Sequence, residues 1–412
     1  IKLMMIPDSW SKRSKTVPKN HQDLFNFLNS TMEPWDGPAA ICATDAKWVL
    51  ASSDRNGLRP LRYAITSDEL FFAGSETGMI KIPEEKITEK GKLGPGQIIA
   101  IDLKKGKLFK DKEIKDLLAK DYKKYSKQII DLEKKISSED EKPNFLNEDL
   151  KKRQYLSGLS IEDLELILHP MAEEGKEASG SMGDDTPVAV LSSHFRPVSH
   201  YFRQNFSQVT NPPIDSLREN KVMSLKTRFG NLGNILDFDN LTEENIYVLD
   251  SPILTNSQFK KLKKFFSKKV KIIDCTFDIE KSLKDRIEFI REEAETAVRE
   301  GSTFLVLSDK NISNQKASIP SILTVGAVHS HLINHGLRGY CSLNIECADA
   351  MDTHSFAILI GVGATTVNPY LAIDSIYQRF QKKLFGKSDF EICVNKFKKS
   401  INAGLLKIMS KM

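Results

Sequence analysis

The sequence lacks the features that mark membrane, secreted and nucleic-acid-binding proteins. No apolar run approaches the ~18–20 residues of a membrane-spanning helix, and the start has no apolar segment of the signal-peptide kind. Cysteine is scarce, with 5 residues scattered over 412, which argues against a disulfide framework and favours reduced thiols. The net charge of +5 is small, and acidic residues interrupt even the densest basic stretch, so the basic stripe of a nucleic-acid binder is missing. We therefore expect a cytoplasmic protein that binds neither membrane nor nucleic acid.

What the sequence does contain is enough apolar material for more than one core. Hydrophobic residues make up 40% and charged residues 28% of the 412 residues, which is typical of a globular protein with two or three domains. The chain starts at Ile1 and stops in an amphipathic segment, 401–412, that has neither a cap nor a tail. We therefore expect an internal part of a longer polypeptide.

The first 110 residues have the pattern of an antiparallel α+β unit. A short helix is predicted at 21–30, and close-spaced strands separated by turn residues follow it at 39–45, 48–53, 61–66, 69–75 and 96–103. Residues 111–152 are charged and helical in pattern, and they are broken at 137–143, which makes them the best candidate for a linker.

From about residue 160 the pattern changes to alternating helices and strands. Residues 161–178 are predicted to be helical until Pro170, and the helix 286–301 lies between two strand candidates. The strand candidates are 188–191, 246–250, 270–275, 303–309, 321–328, 340–347 and 354–363. Because several are continuously apolar, they favour a largely parallel α/β sheet.

One motif of the first unit is DRNGLRPLRY (54–63), a polar turn with cationic side chains on both sides of Pro60. Asp54, Gly57 and Arg59 are its candidate site residues. The simpler interpretation is a tight turn between strands, in which the arginines pair with surface carboxylates.

Two polar loops, GSMGDDTP (180–187) and TNPPID (210–215), are candidate sites in the second unit. Adjacent carboxylates on a flexible loop, such as Asp184 and Asp185, suit a hard cation or acid–base chemistry. Capping or arginine pairing is the interpretation that we prefer, and Asn211, Asp215 and Arg218 are interpreted as interdomain scaffold.

The histidines and cysteines between 329 and 354 resemble metal sites only superficially. His329, His331 and His335 include a His-x-His pair, but without a fixed carboxylate partner we expect no metal there. Residues 328–336 are predicted to run from strand into helix. Cys341 and Cys347 are six positions apart on a predicted buried strand, which places them about 20 Å apart on one face, too far to share a cluster. The Gly-rich pieces 230–234 and 361–364 match no phosphate-loop pattern.

Long segments around these motifs resemble the large chain of glutamate synthase. DRNGLRPLRY is similar to the D-x-x-G-x-R-P-L segment of class II (N-terminal-nucleophile) glutamine amidotransferases, and 162–192, 202–225 and 327–372 resemble the glutamate synthase central domain. The resemblance implies α+β followed by α/β: the C-terminal part of an amidotransferase sandwich (1–120), a charged helical linker (121–155), the central domain (156–402) and the start of the FMN-binding synthase domain (403–412).

The same resemblance implies which chemistry is absent. The family's nucleophile is a Cys at the mature N-terminus, and no cysteine stands there; the first, Cys42, is expected to be a small core residue. Catalytic, cofactor-binding and metal-binding residues are therefore expected to be absent. FMN and a 3Fe-4S cluster are implied for the full-length enzyme. The family holds the cluster on a C-x5-C-x4-C run; Cys341 and Cys347 match its first spacing, but residue 352 is Asp, so the match is interpreted as a coincidence.

The resemblance implies a role in nitrogen assimilation. The parent enzyme makes two L-glutamates from L-glutamine and 2-oxoglutarate with reduced FMN and internal ammonia transfer, and this chain would couple the two activities structurally. Its implied partners are the rest of the large chain and a small NADPH-oxidising subunit. NADPH is the implied electron donor because the Lys-, Ile- and Asn-rich composition favours a bacterial form of the enzyme. The alternatives are an α/β binding module and a metal-dependent hydrolase using Asp184, Asp185 or the histidines.

Overall fold

The computed structural model describes most of the chain, in two compact units. The described residues are 17–31, 37–121, 129–136, 142–143, 145, 147–177, 182–183, 186–193, 196–203, 223–229 and 246–411. Among them, the first unit runs to Ile129 and the second begins at Ile130.

The first unit consists of two antiparallel sheets and two helices. Its elements are α1 (Lys19–Thr31), β1 (Ala40–Thr44), β2 (Trp48–Ser53), β3 (Arg62–Thr66), β4 (Phe71–Gly74), β5 (Ile87–Lys92), β6 (Ile98–Asp102), β7 (Lys107–Phe109) and α2 (Asp111–Asp121). One sheet has the order β1-β2-β6-β7 and the other the order β4-β3-β5. Every strand expected from the sequence is present; β5 and β7 were not expected, because charged residues dilute their apolar pattern.

Cys42 corrects one expectation about this unit. It lies on β1 and its side chain is exposed, not part of the core. The reason is that, within the part of the chain that the structure describes, β1 is an edge strand that pairs with β2 alone, and four of its five residues are exposed. An apolar sequence alone does not show whether a strand lies at the centre or the edge of a sheet.

The second unit is built around a four-stranded parallel sheet. Its strands are β11 (Val270–Asp274), β13 (Phe304–Ser308), β15 (Ser342–Glu346) and β16 (Thr366–Asn368), in that spatial order. The helices α7 (Leu283–Arg299), α8 (Ser321–Asn334) and α9 (Thr353–Gly361) connect successive strands. All residues of β13 and β15 are buried, which is typical of a parallel sheet covered on both faces.

Two hydrophobic clusters cover the faces of this sheet. Leu305 and Leu343 belong to the cluster that includes Ile290 of α7 and Val325 of α8. Phe304, on the other face, packs in the cluster formed with α6 (Asn256–Phe266), β9 (Thr227–Phe229) and β10 (Ile246–Leu249). The sheet thus lies between helices on one side and a mixed layer on the other.

The remaining elements surround this core. They are β8 (Ile129–Asp131), α3 (Glu133–Ile136), α4 (Asn147–Leu156), α5 (His169–Glu174), β12 (Thr276–Asp278), β14 (Lys316–Ser318), α10 (Tyr370–Gln381) and α11 (Phe390–Lys411). Strands β8-β10-β9 form a small sheet, and β12 pairs with β14. The predicted α+β unit followed by an α/β unit is confirmed.

Several local expectations for this unit are wrong. Residues 321–328 and 354–363, interpreted as strands, are helical in α8 and α9, and 328–336 therefore contains no strand. Residues 188–191, expected to be a buried strand, form no strand and expose Val190 and Leu191 almost completely. An apolar run by itself cannot separate a buried strand from a buried helix.

The helix at 161–174 does not stop at Pro170. A π-helical stretch, Asp163–Leu168, leads directly into α5, where Pro170 occupies the first turn. A wide π turn opens the helix ahead of the proline ring, and the first turn of a helix tolerates the missing N–H. The helix ends instead at Gly175, whose φ of 72° is left-handed.

Candidate functional site

Asp54 is the centre of the turn that the first motif encodes. Its side chain is 1% exposed, and its carboxylate accepts hydrogen bonds from the backbone N–H groups of Ala39, Asn56, Leu58 and Arg59 at 3.0–3.3 Å. Most of these donors lie in the loop that follows Asp54 in sequence. The carboxylate therefore fixes the loop by replacing the partners that a regular strand would provide.

Gly57 and Arg59 complete this turn in different ways. Gly57 has a φ of 62° and lies so close to Pro95 that a Cβ would approach it to 3.1 Å, so the position requires glycine. Arg59 presents an exposed side chain. The motif thus builds a rigid loop that displays a cation, and neither Asp54 nor Gly57 is available for chemistry.

Asp54→Ala is expected to destabilise the first unit by about 2–4 kcal/mol, since it leaves several backbone donors of a buried turn without an acceptor. Chemical denaturation monitored by Trp48 fluorescence, with Trp48 lying on β2 of this unit, measures the effect. Arg59→Ala is the matched control and should change stability by less than about 0.5 kcal/mol. Equal effects of the two substitutions would contradict the assignment.

Five candidate residues of the two polar loops lie outside the described residues: Asp184, Asp185, Asn211, Asp215 and Arg218. The first loop is represented by Gly183, whose φ is 79° and where a Cβ would lie 1.8 Å from the carbonyl oxygen of Phe202. Only glycine fits so close to another backbone segment. The glycine of this loop therefore allows two segments that are distant in sequence to pack together.

A buried carboxylate, Glu346, lies where the parallel strands end. Glu346 is 4% exposed and its Oε1 contacts Lys263 Nζ at 3.0 Å and Lys310 Nζ at 2.8 Å, while Ser308 Oγ donates to its Oε2 at 2.8 Å. Burial would raise the pKa of Glu346, but the two lysines and the hydrogen bonds outweigh burial and hold it below its ordinary value. Glu346 is thus an ionised group that links β13, β15 and α6.

A second buried carboxylate, Asp309, lies one residue beyond β13. Its Oδ2 accepts hydrogen bonds from the Ala348 N–H at 3.0 Å and from Ser318 Oγ at 3.2 Å. Burial and the neighbouring Asp349 raise its pKa to about 7. Asp309 Oδ1 and Tyr370 Oη are buried without a hydrogen-bond partner among the described residues. Asp309 is therefore a proton-holding group close to neutral pH.

Asp374 of α10 connects the neighbouring helices to this edge. Arg153 Nη1 of α4 lies 3.2 Å from Asp374 Oδ2, and Asn256 Nδ2 of α6 donates to Asp374 Oδ1 at 3.2 Å. Burial raises the pKa of Asp374, and Arg153 opposes that shift. The charged groups at this edge are thus paired with one another, which favours a structural role over chemistry on a substrate.

The histidines that lie near one another in the sequence do not all lie together in the structure. His329 Nδ1 accepts a hydrogen bond from Arg338 Nε at 3.0 Å, and His354 Nε2 lies 2.9 Å from the carbonyl oxygen of Ser199. Only His331 and His335 lie together, and they are joined by Glu295 of α7, a carboxylate that the sequence pattern did not reveal.

The described cysteines of the second unit do not suit an iron–sulfur cluster. Cys341 and Cys347 flank β15 at its two ends, and both side chains are buried. Burial raises the pKa of Cys341 to about 11 and that of Cys347 well above its ordinary value. The five residues of β15 separate the two cysteines, so they lie roughly 20 Å apart along an extended strand and could not share one cluster.

The described residues thus form an antiparallel α+β unit followed by a unit with a parallel α/β sheet. Residues 2–127 match the family of class II glutamine amidotransferases, and residues 152–412 match the glutamate synthase central domain. The chain belongs to the glutamate synthase family. The boundaries at 120, 155 and 402 stay predictions.

Individual relatives agree with this assignment. The chain is 51% identical over 420 residues to the glutamate synthase (NADPH) large chain of Azospirillum brasilense and 40% identical over 422 residues to that of Bacillus subtilis (strain 168). It is 38% identical over 429 residues to the ferredoxin-dependent glutamate synthase 1 of Arabidopsis thaliana. These alignments cover 100% of this chain and 28%, 27% and 26% of the respective relatives.

Proposed function

We propose that this chain acts as part of glutamate synthase, which converts L-glutamine and 2-oxoglutarate into two molecules of L-glutamate. The observation that carries the proposal is the 51% identity to a glutamate synthase large chain over the whole chain. In this reaction glutamine hydrolysis releases ammonia, which passes inside the protein to a second site and forms an imine that reduced FMN reduces. Enclosing that route protects ammonia and the imine from loss to water.

The role proposed for this chain is structural coupling of the two activities. Cys42, the only cysteine within the amidotransferase match, is exposed on β1, and the loss of part of its hydration raises its pKa, which is the opposite of an activated nucleophile. The buried charges of the second unit are held by partners within that unit. Both observations support a scaffold, and the catalytic cysteine belongs to another part of the enzyme.

The cofactors, FMN and a 3Fe-4S cluster, are likewise assigned to other parts of the enzyme. The position of Cys341 and Cys347 at the two ends of β15 supports this division for the cluster. FMN would supply the hydride, while the protein around it orients and shields the reacting groups.

The proposed electron donor is NADPH, delivered by a small subunit in the cytoplasm. The chain is 51% identical to the NADPH-dependent large chain of Azospirillum but 38% identical to the ferredoxin-dependent enzyme of Arabidopsis. This difference supports an NADPH form. Among the described residues, no helix is long and apolar enough to cross a membrane.

The purified 412-residue chain is expected to show neither glutaminase activity nor glutamate formation. A full-length enzyme that contains the chain should form two glutamates for each glutamine consumed when it is supplied with 2-oxoglutarate and NADPH. Amino-acid analysis of both reactions tests the proposal. Glutamate formation by the chain alone, or its absence from the full-length enzyme, would contradict the proposal.

A further inference from the structure

Two histidines and a glutamate on neighbouring helices form a compact cluster of metal-ligating groups. Glu295 of α7 lies opposite His331 and His335, which are one turn apart near the end of α8, and the ligand atoms of all three lie within 4.8 Å of one another. Glu295 Oε2 is 2.6 Å from His331 Nε2 and 3.7 Å from His335 Nε2. Glu295 is 20% exposed and His335 41% exposed, so an ion can enter from solvent.

The hydrogen bonds around His335 leave one of its ring nitrogens directed at the glutamate. His335 Nδ1 lies 2.8 Å from the carbonyl oxygen of His331, to which it can only donate, so Nε2 of the neutral ring carries a lone pair. That lone pair faces Glu295 Oε2, which is also an acceptor. A metal ion between these two acceptors would have both as ligands.

The distances suit a small tetrahedral ion. Zn²⁺ binds histidine nitrogen at about 2.0–2.1 Å and carboxylate oxygen at about 2.0–2.2 Å, so neighbouring tetrahedral ligands lie roughly 3.3 Å apart. The two measured separations from Glu295 Oε2, 2.6 Å and 3.7 Å, lie on either side of that value. Small side-chain movements would therefore complete the geometry.

We propose that Glu295, His331 and His335 bind one divalent transition-metal ion, with Zn²⁺ as the best fit, and leave a fourth position open to water. Two histidines and one glutamate form a known ligand set for Zn²⁺ sites with an open position. The backbone carbonyl that accepts from His335 Nδ1 acts as the outer partner that orients a metal-binding ring. The proposal departs from the expectation of no metal, which rested on the absence of a carboxylate partner.

Two arginines on α7 limit the affinity of this site. Arg291 Nη2 lies 3.2 Å from His331 Nδ1, which places the ring proton on Nε2, and Arg299 Nε donates to Glu295 Oε1 at 2.8 Å. When the metal binds His331 Nε2, that proton moves to Nδ1 and Arg291 must turn away. Arg291 thus competes with the metal for the tautomer of His331.

The test is a Zn²⁺ titration of the full-length protein that contains this chain, with Co²⁺ visible absorption as a second measurement. Glu295→Gln and His335→Ala are each expected to weaken Zn²⁺ binding by about tenfold or more and to remove one ion from the stoichiometry. Both positions are partly exposed, so circular dichroism should show an intact fold. His200→Ala, at an exposed histidine in another segment, is the matched control and should bind as the parent does.

Arg291→Gln gives a result that a merely structural ion-pair network would not produce. It frees His331 Nδ1 and removes a positive charge, so Zn²⁺ should bind several-fold more tightly. Tetrahedral Co²⁺ absorption that disappears in Glu295→Gln would support the site. Zn²⁺ binding that is absent from the parent, or unchanged in both ligand variants, would overturn the proposal.

Discussion

Replacing Lys263 and Lys310 together by methionine is expected to lower the Tm of the second unit by on the order of 10 °C. The substitution leaves Glu346, which is 4% exposed, as a buried carboxylate without a cationic partner. Breaking a buried ion pair from one side costs about 3–5 kcal/mol, and each kcal/mol corresponds to roughly 2–4 °C for a domain of this size. Differential scanning calorimetry measures the change.

The control for this prediction adds Glu346→Gln to the double variant. Methionine keeps the aliphatic part of each lysine side chain. It removes the charge pairing with Glu346 together with the cation–π contacts of Lys263 Nζ with Phe259 and of Lys310 Nζ with Tyr370, at 4.9 and 5.0 Å from the ring centroids. The triple variant should recover most of the lost stability, because no buried charge remains. If the triple variant is as unstable as the double, the cation–π contacts of the two lysines, and not their ion pairs with Glu346, stabilise this edge.

Asp309→Asn is expected to stabilise the protein above pH 7 and to have little effect near pH 4. The folded state raises the pKa of Asp309 from 3.8 to about 7, so folding favours its protonated form. The contribution of Asp309 to the free energy of unfolding is therefore most favourable below pH 4, where the group is protonated in both states. It falls as the pH rises from 4 to 7 and is constant above pH 7, where ionisation of the buried carboxyl is a penalty. At about 1.4 kcal/mol per pH unit, a shift of about three units gives a penalty on the order of 4 kcal/mol.

Asparagine removes the titration and keeps an oxygen that can accept the hydrogen bonds from Ala348 and Ser318. Urea denaturation at pH 5 and pH 8 should therefore show a larger gain at pH 8. Asp285→Asn, which changes an exposed aspartate of α7, controls for the loss of a charge as such and should give the same small change at both pH values. A gain of Asp309→Asn that is equal at both pH values would show that Asp309 is not protonated in the folded state.

The sequence predicts those parts of the fold in which local pattern and final environment agree. Strands β11, β13 and β15 were predicted because continuous β-branched and aliphatic runs suit a sheet buried on both faces. Helices α8 and α9 were predicted as strands because buried helices are apolar all round. Their start signals, Pro320 before α8 and Asp352 accepting from the Ser355 N–H at the start of α9, were the available evidence for helix.

The candidate sites also differ in how far they can be predicted from local sequence. The Asp54 turn is visible in the sequence because its partners are mostly within five residues, as the contacts to Leu58 and Arg59 show. Glu346 and Lys263 are separated by 83 residues, and Glu295 and His331 by 36. No local pattern encodes such pairings, since they arise only when parallel strands and adjacent helices bring distant segments together.

The order of the parallel strands has a consequence for folding during synthesis. Because β11, β13, β15 and β16 are neighbours in the order in which they occur in the chain, each strand–helix pair can dock on its predecessor as it leaves the ribosome. Ile253, which precedes all four strands in the chain, departs from this order because it bridges to Val367 of β16, the last of them. The segment around Ile253 therefore lacks this partner until more than a hundred further residues have been translated. A nascent chain should gain its final resistance to proteases only after β16 has emerged from the ribosome.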